Sequence, residues 1–96
     1  MTTEIELKKS NRKGKKYMVK IGNKTVHFGA KGMSDYTIHK DKERMKRYLK
    51  RHRKRENWKK SGIKTAGFWS RWLLWSKDDL NDAKKHIEKK FNVKFI

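Results

Sequence analysis

The chain has 96 residues, with 29 lysines and arginines against 10 acids, and a formal net charge of +19. That length supports one small domain, and with only 33% hydrophobic residues it excludes a large enzyme core. The longest apolar run, Trp72 to Trp75, is far short of the roughly 18 residues a membrane span needs. No apolar stretch near the start suggests a secretory signal. Without cysteine there is no disulfide framework or thiolate metal site.

Such a composition borders on that of disordered chains. The 4 Trp, 4 Phe and 3 Tyr argue otherwise, because each ring buries on the order of 150–250 Å² and a few can anchor a core.

In chain order, Ile5 and Leu7 alternate with Glu4 and Glu6 and suggest an edge strand. The basic, turn-prone run Lys8, Lys9, Arg12, Lys13, Lys15 and Lys16 follows. Residues 1–16 are therefore expected to form an arm or edge strand, and 17–96 the domain proper. Tyr17, Val19 and Ile21 share one face of a strand. Gly22-Asn23 is a two-residue hairpin turn, and Lys24 to Phe28 return as the second strand.

A glycine-containing loop leads to a long helix expected from Lys40 to Arg55. Ile38, Met45, Tyr48, Leu49 and His52 form its one apolar stripe. After Ser61-Gly62, a short helix carries Phe68, Trp69, Trp72, Leu73 and Trp75, with Phe68, Trp72 and Trp75 expected to face the core. Ser76 with Asp79 reads as a capping box. Leu80, Ala83, Ile87 and Phe91 then line a further helix that Asn92 can end, and Val93 to Ile96 can return to the sheet. The expected fold is α+β: a hairpin, extendable to a three- or four-stranded antiparallel sheet, packed on about three helices.

Charge is concentrated. Residues 39–60 hold twelve Lys/Arg and three acids, nearly half of the whole excess. Lys46, Arg47, Lys50, Arg51, Arg53, Lys54 and Arg55 crowd into three turns, where like charges at i,i+4 repel. Solubility rarely calls for a net charge above about 8 on a small domain. A solvated face or a nuclear localisation signal is the plain alternative. The excess favours a polyanionic partner, either nucleic acid phosphate (DNA before RNA) or acidic protein, with the 8–16 run as an auxiliary arm. Trp58 and Trp69 are candidate interface anchors.

Catalytic candidates are few. Asp35, His39 and Asp41 are the best nuclease set, but acids at a helix start are better explained as caps. No phosphate-cradling glycine loop, nucleophile elbow or zinc spacing occurs. No catalytic residue, metal or cofactor is expected.

The words His27-Phe28-Gly29, Asp35-Tyr36-Thr37, Asp41 with Arg44, Tyr48, Arg51 and His52, Glu56-Asn57-Trp58, Ser61-Gly62-Ile63, and the string Thr65 to Trp75 form a pattern over residues 17–80. It resembles a family of small basic proteins of nucleocytoplasmic large double-stranded DNA viruses. The resemblance transfers no activity. It implies a viral origin and a place in the virion, reached through host cytoplasm or nucleus. Two functions fit: a non-enzymatic protein neutralising packaged DNA, or a minor capsid protein bridging larger subunits.

Overall fold

Strand β1 (Thr3–Lys9) buries Ile5 completely and leaves Glu4 exposed, as its alternation predicts. The computed structural model describes residues 3–96, so Met1 and Thr2 of the expected arm lie outside the described residues. β1 pairs antiparallel with β2 (Lys15–Ile21), Leu7 opposite Val19, and β2 pairs antiparallel with β3 (Lys24–Ala30). Gly22, at φ +59°, supplies the left-handed residue of the tight turn. The last strand, β4 (Val93–Phe95), lies parallel to β1, giving the order β3-β2-β1-β4.

The fold is thus α+β, as expected, but the sheet is mixed and β1 is an interior strand. The physical reason is the route of the chain: β4 arrives through a helical crossover, which delivers a parallel neighbour. The 8–16 run is accordingly part of the sheet. Lys8 and Lys9 belong to β1 and Lys15 and Lys16 to β2. Arg12 and Lys13 occupy the connecting turn, closed by Lys15 N–H donating to Arg12 O at 3.2 Å.

The helix expected from Lys40 to Arg55 is shorter, Lys42–His52, and a separate one-turn helix precedes it. α1 (Tyr36–His39) is one turn, stopped by Lys40 in the left-handed region at φ +57°. α2 (Lys42–His52) starts afresh, its cap Asp41 accepting from Glu43 N at 3.0 Å and Arg44 N at 3.3 Å. Ile38, on the separate turn, falls out of the apolar stripe and is 61% exposed.

Beyond a 3₁₀ turn at Lys60–Gly62, α3 (Ala66–Trp69) runs directly into a π-helical turn, Ser70–Leu74. The wider i→i+5 turn explains which side chains enter the core. Phe68 and Leu73, and Trp69 and Leu74, are five apart, and all four are buried. Trp72 and Trp75, expected on the core face from ordinary helical spacing, are only partly buried.

α4 (Leu80–Phe91) begins at Asp79, whose side chain accepts from Asn81 N. Ser76 is not the cap, because its hydroxyl donates to Trp72 O at the end of the preceding turn. Asn92, at φ +55°, ends α4. Ile5, Val19, Val26 and Phe28 of the sheet meet Phe68, Trp69, Leu73, Leu74, Ala83, Ile87 and Phe91 in one core. No helix among the described residues is long and apolar enough to cross a membrane.

Candidate functional site

Helix α2 turns Tyr48 inward, with Met45, Leu49 and His52 half-buried beside it. Helical geometry then sets Arg47 and Lys50 on the opposite, outward side, and Arg44 and Arg51 on one flank. Lys46, Arg47, Lys50, Arg51, Arg53, Lys54 and Arg55 are all exposed, the last three in the turn that leaves the helix. Lys46 lies 3.8 Å from Glu43, and the other six have no carboxylate within 4 Å among the described residues. Cations in the last turn complement the helix dipole, but that favourable term fades within one turn. The outward face is therefore a dense, largely uncompensated positive surface.

What holds this surface in place is a column of rings. Tyr48 stacks on Trp75 with centroids 4.2 Å apart and planes 1° from parallel, and on its other side lies 4.2 Å from His52. Trp75 continues to His39 at 5.3 Å, and His39 to Tyr36 at 6.1 Å. Burial, reinforced by the Glu56 carboxylate, pushes the Tyr48 phenol above its usual pKa of 10. Glu56 fastens the far end: its Oε2 is 2.8 Å from His52 Nδ1 and its Oε1 accepts from Trp58 Nε1 at 2.9 Å.

Arg71 lies beneath the same region. Its guanidinium carbon sits 4.2 Å from the Trp72 ring centre and 5.4 Å from that of Trp58, and Nη1 donates to Trp75 O at 3.0 Å. Burial lowers its pKa, yet no carboxylate among the described residues pairs with it. It adds an unneutralised charge behind the aromatic layer.

A cleft of about 460 Å³ opens between the ends of β2 and β3, the Arg44 and Arg51 flank of α2, and α3. Its deep polar group is Asp35, only 2% exposed, which receives Lys16 Nζ at 2.5 Å and Thr37 N–H at 2.9 Å. Lys16 is consumed by that pair and cannot act in a phosphate-binding arm. Lys8 is near Glu6 at 3.5 Å; Lys9, Arg12 and Lys13 are exposed, and Lys15 lines the cleft.

The other sequence-predicted groups sort clearly. Trp69 is fully buried and its Nε1 donates to Ile63 O at 2.6 Å, so it is a core residue and not an interface anchor. Trp58 is half-buried and held by Glu56 and Arg71. Asp35 and Asp41 cap α1 and α2, and His39 Nδ1 accepts from Asp41 N–H at 2.8 Å. Among the described residues no three His, Asp or Glu side chains are grouped to hold a metal ion. Arg44 is the rim cation that the sequence did not single out as a site residue, and Lys15, expected in the auxiliary arm, joins it at the cleft; the i,i+7 spacing of Arg44 and Arg51 is the signal that places both on one flank.

Cations also act on the neutral groups. The His27 imidazole is lowered from 6.5 by loss of solvent and by Arg12 and Lys15. His86 is lowered by burial and by Lys77, Lys90 and Arg71.

No curated protein and no solved structure matches the chain. A family model does match, over residues 5–52, from the first strand to the last residue of the basic helix. By that match the chain belongs to a family of unknown function, DUF5754.

Proposed function

We propose that the protein is a non-enzymatic nucleic-acid-binding protein that grips the phosphate backbone through α2 and the turn after it, without sequence preference. The observation that carries this reading is the run of exposed cations Arg47, Lys50, Arg51, Arg53, Lys54 and Arg55, none paired with a carboxylate among the described residues. Their mutual repulsion is relieved by a polyanion, and each phosphate contact releases condensed counterions. Side chains that reach phosphates position a protein on nucleic acid without reading its bases. The resemblance to small basic proteins of large double-stranded DNA viruses gives this binding a setting, the neutralisation of a packaged genome.

The competing capsid reading joins the basic surface to acidic capsid subunits, with Trp58 and Trp69 as interface anchors. Trp69 lies in the core and Trp58 is engaged by Glu56, which favours the phosphate reading. Titration of duplex DNA tests it: between 50 and 200 mM salt the affinity should fall by about a thousandfold or more for six phosphate contacts. Salt-independent binding, or none, overturns it.

A further inference from the structure

The cleft beside α2 combines two chemistries that no bare phosphate-binding surface needs. Its rim carries Lys15, Arg44 and Arg51, none within 4 Å of a carboxylate among the described residues. Its walls are largely carbon, from Leu74, Trp75 and Ala66, with Met33 at the edge. Met33 is 65% exposed, a large apolar side chain standing in solvent beside three free cations. Ligand sites of roughly 300–1,000 Å³ are commonly apolar inside with a few placed polar groups, and this cleft has that size and character.

A flat, weakly polar group flanked on both sides by anions fits such a place, and a nucleotide within a single strand is that object. In a duplex the base faces are occupied by their neighbours in the stack. We propose that this cleft receives an unpaired base of single-stranded nucleic acid, with the phosphates on either side of it held by Arg44, Arg51 and Lys15. The inference rests on the phosphate-binding reading above and adds the strand state of the ligand.

Three features support it. Arg44 and Arg51 belong both to the cleft rim and to α2, so a backbone following the helix passes the opening. The Met33 thioether is a soft, adaptable contact for an aromatic ring. Glu56 also lines the cleft, and each of its carboxylate oxygens accepts one bond, from Trp58 or His52, leaving further acceptor capacity for an amino group on a base edge.

The test uses the full chain and fluorescence anisotropy with three probes: a short mixed-sequence single strand, the same strand annealed to its complement, and a strand of equal length with abasic sites throughout. The base-bearing strand is expected to bind about tenfold tighter than the abasic strand, as stacked or enclosed bases do elsewhere. Met33→Ser, an exposed and charge-neutral change, should cut that advantage about threefold and leave duplex affinity unchanged. Ala66→Leu, which fills the cleft, should remove it. Equal binding of intact and abasic strands overturns the cleft proposal while leaving the phosphate reading standing if duplex binding remains salt-dependent. An advantage that survives both variants also overturns it, since the bases then contact another surface. Absence of salt-dependent binding to all three probes instead removes the phosphate reading, and the cleft proposal with it.

Discussion

The Tyr48 and Trp75 rings lie face to face, 4.2 Å apart and within 1° of parallel, and this stack joins the basic helix to the body of the domain. Tyr48 is buried on α2, whereas Trp75 ends the π-helical segment whose Leu73 and Leu74 sit in the core. A strongly self-repelling helix is thus carried largely by ring stacking, with its last residue, His52, also held by Glu56. Tyr48→Ala should cost about 3 kcal/mol of stability, in the range for removing a large buried ring. Tyr48→Phe keeps the stack and should cost under about 1.5 kcal/mol. Urea denaturation of the two variants checks this, and equal losses would show that the hydroxyl, not the ring, holds the helix.

Trp69 and Trp58 give a paired contrast. Trp69→Ala empties the centre of the core and strands the Ile63 carbonyl, so a loss of about 3–5 kcal/mol is expected. Trp58→Ala, at a half-buried site, should cost less than half as much. Thermal unfolding of both proteins separates the core tryptophan from the peripheral one.

Lys16 and Asp35 form a nearly buried ion pair, with side-chain exposures of 14% and 3%. Lys16→Met leaves the Asp35 carboxylate without its cation and should destabilise by about 3–5 kcal/mol. Lys13→Met, in the exposed turn, should change stability by no more than about 0.5 kcal/mol. Comparable effects at the two sites would mean that the pair contributes nothing.

Acid should weaken the fold through its histidines. His27 and His86 are both lowered below 6.5 in the folded state, so between those values and 6.5 the unfolded chain binds more protons. Their contribution is fully present above pH 6.5 and is lost as the pH falls through the folded values. His86→Gln should flatten the decline of stability below pH 6.5. In an NMR titration the His86 midpoint should lie under 6.5, and a midpoint above it contradicts the assigned burial and the field of Lys77, Lys90 and Arg71.

Local patterns in the sequence were enough for the hairpin, because Val19, Ile21, Val26 and Phe28 alternate around Gly22-Asn23. They were enough for α4 as well, where Ala83, Ile87 and Phe91 repeat at helical spacing. The separate turn Tyr36–His39 escaped that reading because four residues are too few to show a helical period; the signal is the pair of caps, Asp35 and Asp41, one per helix. The π turn escaped because a 3.6-residue period assigns Trp72 and Trp75 to the face that Leu73 and Leu74 occupy. The parallel pairing of β1 with β4 joins opposite ends of the chain, and nothing local to either strand encodes it. At the site, the exposed cations of α2 followed from charge density alone. The cleft did not, because Lys15, Met33, Arg44 and Ala66 come together only when β2, the loop after β3, α2 and α3 pack.

If the outward face of α2 meets phosphate, its cations set the salt dependence of binding. The measurement is the slope of log affinity against log salt for duplex DNA, compared between the wild-type chain and Arg47→Gln/Lys50→Gln/Lys54→Gln. Removing three phosphate contacts should make the slope shallower by about 2.7, at roughly 0.9 per contact, with the fold intact by circular dichroism. An unchanged slope in a folded triple variant would contradict the account, because the cations on which it stands would then touch no phosphate.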